Sequence, residues 1–138
     1  MSVKRRDVRE SAFLLTFEML FRNDNIDELI EIAKENDAII INDEVVELAR
    51  GIEEKSDVLD EIISSYSNKR AVNRIPKINL AILRLASYEA NYDEKVPVNV
   101  AISEAVALAE KYAYDSDISF VNGVLGAYSR SEEAPKNE

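Results

Sequence analysis

The amino-acid sequence predicts an all-α protein. Glycine and proline are scarce, with three of each in 138 residues, so the tight turns of β-hairpins are almost absent. Ala, Leu, Glu and Lys are abundant, and these residue types form helices readily. Apolar side chains also recur three and four positions apart, which is the spacing of one face of a helix.

Three helices are predicted in the first half of the chain. The first runs from Ser2, a residue type that caps helix N-termini, to about Phe21. Its apolar stripe comprises Val8, Ala12, Leu15 and Met19, widened by Phe13, Phe17, Leu20 and Phe21. A short helix follows in "IDELIEIAKEN". A third, longer helix is predicted from Asn42 or Asp43 to Tyr66, because apolar residues continue at helical spacing over that length.

The second half is predicted to contain three more helices. The segment "SNKRAVNR" is a connector with one short helical turn. Pro76 and Pro97 each suit the first turn of a helix, and the segment DSD, from Asp115 to Asp117, can cap the last one. The tail, residues 131–138, has no apolar anchor and is expected to be disordered. The pattern therefore predicts five to seven helices in one compact bundle.

The residue types present leave little basis for enzyme chemistry. The chain has no cysteine and no histidine, which excludes disulfides, thiol nucleophiles and the commonest general base. Three glycines cannot build a phosphate-binding loop. The acidic residues of 53–61 are predicted to form a solvated helix face, since no Glu-x-x-His motif accompanies them. No catalytic residue, cofactor or metal is therefore expected.

No targeting segment is predicted. The apolar run "AFLLTFEMLF" follows a basic start, but Glu18 interrupts it and no small-residue cleavage site follows. No apolar run approaches the ~20 residues of a membrane span. The chain is expected to be soluble, unprocessed and cytoplasmic.

Charge is distributed unevenly along the chain. The formal net charge is −10, yet residues 1–22 and 64–92 are net positive. In the first zone Lys4, Arg5, Arg6 and Arg9 lie where the helix dipole is already positive, which costs stability. Helical spacing places the three arginines on one face. Such a cluster suits a polyanion, although a solvated helix end or a membrane surface has the same composition.

Several segments resemble the NusB family of bacterial transcription antitermination factors. "RRDVRESAFLLTF" is similar to the family's arginine-rich opening helix. ILRLA-x-YE, a VP followed by AISEAV-x-LA-x-KY, and FVNGVL then occur in the family's order and spacing, so that the resemblance covers about residues 4–128. It implies a compact all-α bundle of about six or seven helices in two packed helical subdomains. The expected domain spans 1–130, with halves of about 1–70 and 71–130.

The resemblance also implies a function without catalysis. Family members bind a single-stranded boxA element in nascent ribosomal or phage RNA together with ribosomal protein NusE. The complex joins other Nus factors on RNA polymerase and suppresses premature termination during ribosomal RNA synthesis. Carried over by position, the RNA-binding residues are Lys4, Arg5, Arg6, Arg9 and Phe120. The corresponding partner-binding residues are Asn73, Arg74, Lys77 and Asn79.

This chain departs from the family pattern near the expected partner surface. Arg70 stands where many relatives have tryptophan, Asn73 and Asn79 occupy slots that are often acidic, and Leu80 replaces a commonly basic residue. One alternative is a helical protein-interaction module without intrinsic RNA recognition. Another is an accessory RNA-binding part of a ribosomal RNA methyltransferase, whose enzyme would be a separate protein.

Overall fold

The computed structural model describes residues 3–22 and 24–131. This part of the chain contains seven α-helices, one 3₁₀ turn and no strand, which confirms the all-α prediction. None of these helices is long and apolar enough to cross a membrane. The helices are α1 (Arg5–Met19), α2 (Ile26–Ala33), α3 (Asp43–Glu54), α4 (Ser56–Ser65), α5 (Lys77–Tyr92), α6 (Val98–Tyr112) and α7 (Asp115–Ser129), with the 3₁₀ turn at Val72–Arg74.

Two predictions about the chain ends lie outside the described residues. They are the capping role of Ser2 and the disorder of residues 132–138. The first described residue next to α1 is Lys4, which stands at the N-cap position with extended backbone. Its carbonyl oxygen accepts hydrogen bonds from the backbone N–H groups of Asp7 and Val8, which close the first turn.

The described residues form two compact units, of which the first comprises residues 1–54. In this unit α1 packs against α2 and α3. The side-chain oxygen of Asn25 accepts a 2.8 Å hydrogen bond from the backbone N–H of Glu28, which caps α2. Asn42 caps α3 in the same way, accepting from the N–H of Val45 at 2.9 Å, as the sequence predicted. These caps fix where the two short helices begin.

The prediction of one long third helix was wrong. The helix ends at Glu54 and a second one begins at Ser56, with Lys55 between them. The apolar side chains of α3 are buried in the first unit, where α3 packs on α1. Those of α4, Leu59 and Ile63, are buried in the second unit, where α4 packs on α5. One continuous apolar stripe in the sequence thus contributes to two separate cores. The boundary between the two units follows Glu54, whereas the predicted halves of the domain meet near residue 70.

The second unit, residues 55–138, is built around α5, which packs on α4, α6 and α7. Pro76 and Pro97 directly precede α5 and α6, which agrees with their predicted role at helix starts. Asp117 accepts a 3.2 Å hydrogen bond from the backbone N–H at position 114 and so caps α7 from inside its first turn.

Tyrosines contribute several contacts to this second unit. The hydroxyl of Tyr128 donates a 2.7 Å hydrogen bond to the side-chain oxygen of Asn91, which joins α7 to α5. The ring of Tyr128 also meets that of Tyr66 edge to face, with centroids 5.5 Å apart. All six tyrosines of the chain lie in residues 55–138.

Candidate nucleic-acid interface

The N-terminus of α1 presents a basic surface. Lys4 and Arg6 are exposed, and Arg5 is half-buried. Asp7 is the one acidic residue in the first turn, and the side chain of Lys4 at the N-cap position makes no capping hydrogen bond. The positive end of the helix dipole therefore adds to the charge of these side chains instead of being neutralised. The arrangement favours binding of an anion.

Arg5 is held in an ion pair that a ligand could displace. One of its guanidinium nitrogens, Nη1, lies 3.4 Å from a carboxylate oxygen of Glu44 in α3. The two side chains are 36% and 58% exposed, respectively. An ion pair of such exposure contributes about 0–1 kcal/mol, because water and salt screen it. Glu44 therefore orients Arg5 without holding it firmly.

Arg9 does not lie on this surface, which corrects the expectation that the three arginines form one exposed face. Its exposure is only 4%, and other groups of the chain engage it. The physical reason is its place on α1, where the neighbouring Val8, Ala12 and Phe13 are fully buried. Arg9 thus belongs to the interior of the first unit, and a direct contact with RNA is not available to it in this conformation.

Phe120 lies on α7 in the second unit, half-buried, with a cation over its ring. The guanidinium carbon of Arg70 is 5.1 Å from the centroid of that ring. The Arg70 side chain is exposed, and its backbone is tied down on both sides. Its N–H donates to the carbonyl of Ser67 at 3.1 Å, and its carbonyl accepts from the hydroxyl of Ser64 at 3.0 Å. The loop therefore holds the guanidinium of Arg70 over the ring of Phe120.

The residues predicted to bind a partner divide into two groups. Asn73 and Arg74 are exposed in the 3₁₀ turn, and Lys77 is exposed at the first position of α5. Asn79 is only 1% exposed, and its amide nitrogen donates a 2.9 Å hydrogen bond to Asp117.

Leu80 is likewise buried, at 6% exposure. Asn79 and Leu80 are thus both buried, and Asn79, which was predicted to bind a partner, does not lie on the surface in this structure. Asn79 therefore takes part in an internal hydrogen bond between α5 and α7. Asn73, by contrast, is exposed.

The acidic residues of α3 and α4 do not converge on a metal site. Within residues 3–22 and 24–131, no three carboxylates lie close enough to hold an ion. Asp60 instead receives two hydrogen bonds from Arg84, at 2.8 and 2.7 Å. These side chains are 19% and 16% exposed, so the pair fastens α4 to α5. The carboxylate of Asp60 therefore stabilises the packing of α4 on α5.

Comparison with known proteins identifies the family. The sequence model of the NusB family matches residues 6–130. The chain belongs to the NusB family. This membership confirms the resemblance drawn from the sequence motifs, and it agrees with the prediction that the chain is not an enzyme.

Individual relatives extend the NusB assignment over nearly the whole chain. The transcription antitermination protein NusB of Clostridium acetobutylicum is 41% identical over 133 residues, covering 95% of this chain and 98% of the relative. The structure of T. maritima NusB superposes with a TM-score of 0.83 at 30% identity, covering 98% and 96% of the two chains. A structure of antitermination factors NusB and NusE in complex with dsRNA gives 0.76 at 27% identity, covering 89% and 93%.

Two contacts in this NusB-family chain escaped the sequence analysis. Glu44 pairs with Arg5, and the guanidinium of Arg70 lies over the ring of Phe120, in each case across a long stretch of sequence. Motif spacing reports neighbours on the same helix only, so it carries no signal for either contact. The sequence offered two indirect signals at Arg70, namely the positive balance of residues 64–92 and the departure from the family pattern at this position.

Proposed function

We propose that this chain is an RNA-binding transcription antitermination factor that acts with ribosomal protein NusE. It binds boxA-type single-stranded RNA and promotes ribosomal RNA transcription by RNA polymerase, in the cytoplasm and together with other Nus factors. The observation that carries the proposal is the basic cluster at the N-terminus of α1, formed by the exposed Lys4 and Arg6 and the half-buried Arg5. This cluster stands on a protein whose formal net charge is −10.

The chemistry of the cluster suits RNA. Guanidinium groups bind phosphate oxygens with paired hydrogen bonds and stack on unpaired bases. The exposed pair between Arg5 and Glu44 is weak enough for a phosphate to replace the carboxylate. The acidic remainder of the protein repels polyanions elsewhere on the surface, which limits indiscriminate binding. Binding is therefore restricted to the basic regions.

A protein partner supplies the sequence selectivity that the arginines do not provide. Contacts from a few arginines mainly follow the RNA backbone and carry little sequence information. The similar NusB structure that contains NusE and dsRNA supports an assembly of this kind. We assign the partner contact to Asn73, Arg74 and Lys77, which are exposed around the start of α5.

Fluorescence anisotropy of labelled RNA tests the proposal. The probes are a single-stranded RNA with a boxA element, the same nucleotides in scrambled order, and a duplex of equal length. Each is titrated with and without NusE at several salt concentrations. Each phosphate contact contributes about −0.7 to the slope of log K against log salt for a single strand. We expect the boxA RNA to bind most tightly and NusE to strengthen that binding.

Arg6→Ala is the variant that addresses the cluster. Arg6 is exposed on α1, so its removal is expected to lower RNA affinity and reduce the salt slope by about 0.7, with little change in stability. Lys34→Ala is the matched control, because it removes one exposed cation of the same unit at the end of α2.

Three results would contradict the proposal. One is equal affinity for the boxA and scrambled RNAs in the presence of NusE. Another is an Arg6→Ala variant that binds like the wild type. A stable complex with NusE that shows no gain in RNA affinity would favour the alternative, a protein-interaction module without RNA recognition.

A further inference from the structure

We propose that Arg70 and Phe120 form a composite contact for one unpaired nucleotide, so that the second unit carries an RNA-binding element of its own. The inference rests on the proposed function and extends it to Arg70, which the family resemblance did not assign to RNA binding. Phe120 supplies the aromatic surface, and Arg70 supplies a planar cation that stacks on bases and donates to phosphates.

The geometry of the pair is the first support. A distance of 5.1 Å from the guanidinium carbon to the ring centroid lies within the range of cation–π attraction. Phe120 is half-buried, so α7 holds its ring in place, whereas Arg70 is exposed on the solvent side. A guanidinium held in this way has lost part of its rotational freedom before any ligand arrives, which lowers the entropic cost of binding.

The donor groups of Arg70 are available to a ligand. Within the described part of the chain, no carboxylate pairs with its guanidinium, in contrast to Arg84, which Asp60 occupies with two hydrogen bonds. A guanidinium has five N–H donors, and attraction to the face of a ring does not use them as hydrogen-bond donors. They are therefore placed to meet a phosphate or a base edge.

The turn before Arg70 provides an independent observation. Asn68 and Lys69 both adopt the left-handed conformation, with φ of 57° and 56°. Asparagine tolerates this conformation, but lysine rarely adopts it. Residues in sparsely populated conformations persist where the surrounding structure holds them, and such residues cluster at functional sites. Here the two residues connect α4 to Arg70, and the hydrogen bonds of the Arg70 backbone with Ser64 and Ser67 hold that residue in position.

The surroundings favour RNA over an acidic peptide as the ligand. Lys69 and Arg74 are exposed near Arg70 in sequence, and residues 64–92 are net positive. Either ligand could neutralise this charge, but the planar face of the Arg70 guanidinium also offers a stacking surface. Unpaired bases use such a surface, and a carboxylate does not.

The experiment separates the stacking function of Arg70 from its charge. Arg70→Lys keeps the charge but loses the planar stacking group, whereas Arg70→Ala loses both. With the boxA RNA, we expect each to bind roughly 5-fold more weakly or worse, in line with the loss of about one stacking contact. The salt slope should stay unchanged for Arg70→Lys and fall by about 0.7 for Arg70→Ala.

Phe120→Leu is the second variant, since leucine retains apolar volume on α7 but has no ring. We expect a loss of affinity similar to that of Arg70→Lys, and the Arg70→Lys, Phe120→Leu double variant should bind no more weakly than the weaker single variant. Lys95→Ala is the matched control, because Lys95 is exposed in the same unit, beyond the opposite end of α5. Circular dichroism verifies that each variant is folded.

A set of RNAs, each with one abasic nucleotide, locates the contact. At one position the missing base should reduce wild-type affinity to that of Arg70→Lys and leave the variant unaffected. If Arg70→Lys and Arg70→Ala bind like Lys95→Ala while Arg6→Ala is defective, this proposal is wrong and the proposed function stands. If the wild type shows no preference for boxA RNA at all, the proposed function is contradicted, and this inference, which rests on it, is contradicted as well. A loss confined to NusE binding would identify Arg70 as a protein contact and overturn the inference.

Discussion

Arg9 is predicted to stabilise the first unit instead of binding RNA directly. It has the same residue type as Arg5 and Arg6 and lies three or four positions from them, yet only 4% of it is exposed. We therefore expect Arg9→Ala to lower the free energy of unfolding substantially and Arg6→Ala to leave it nearly unchanged. The contrast between these two variants tests how the structure divides the arginine cluster.

The expected magnitude follows from what the substitution removes. The γ and δ methylene groups of Arg9 are buried along α1, and each buried methylene contributes about 0.8 kcal/mol. Loss of the guanidinium leaves the groups that engage it unsatisfied, which costs about 1–3 kcal/mol. The substitution also removes the desolvation cost of a buried charge, which offsets part of this loss. The net destabilisation expected for Arg9→Ala is about 2–3 kcal/mol, against less than about 0.5 kcal/mol for the exposed Arg6→Ala.

Urea-induced unfolding followed by far-ultraviolet circular dichroism measures both values. Arg9→Met serves as an intermediate case, because it refills the volume of the aliphatic stem without the charge, and it should lie between wild type and Arg9→Ala. If Arg9→Ala unfolds within about 0.5 kcal/mol of the wild type, the assignment of Arg9 to the interior is refuted. RNA affinities of variants at this position are meaningful only under conditions where each variant is folded.

Three further substitutions test contacts within the units. Arg84→Met leaves the carboxylate of Asp60 without its bidentate partner and should cost about 2–3 kcal/mol, whereas the Arg84→Met, Asp60→Leu double variant should recover most of that loss in urea unfolding. Asn25→Ala removes the cap of α2 and should cost about 1 kcal/mol by the same measurement. Asn79→Asp introduces a buried carboxyl group beside Asp117, where burial and repulsion raise the pKa of the new group. The folded variant then binds this proton more tightly than the unfolded chain does, so its stability relative to wild type should fall as the pH rises from about 4 to about 7; a difference that does not change with pH would contradict this reasoning.

Local signals in the sequence were sufficient for most helix starts. Pro76, Pro97 and Asn42 mark the beginnings of α5, α6 and α3, because the effects of proline and of a capping side chain act within one turn. The break at Lys55 gave no such signal, since apolar spacing continues through it. Only the packing shows that the residues on its two sides are buried in different units.

The candidate site was less predictable than the fold. Residue type and position identified Lys4, Arg5, Arg6 and Phe120, and the structure places all four at least partly on the surface. The same reasoning could not separate Arg9 from its neighbours, because burial depends on which other helices pack over α1. The burial of Asn79 was invisible for the same reason, since its hydrogen-bond partner comes from α7.

The distribution of tyrosines gives this protein an intrinsic optical label for one of its two units. The chain contains no tryptophan, and every tyrosine lies in residues 55–138, so its tyrosine fluorescence arises from the second unit alone. Circular dichroism records the helices of both. Coincident urea curves from the two signals would mean that the protein unfolds as one cooperative block, and separate midpoints would mean two independent transitions. In the second case, Arg9→Ala should displace the dichroism curve and leave the fluorescence curve in place, which would assign its effect to residues 1–54 without any added dye.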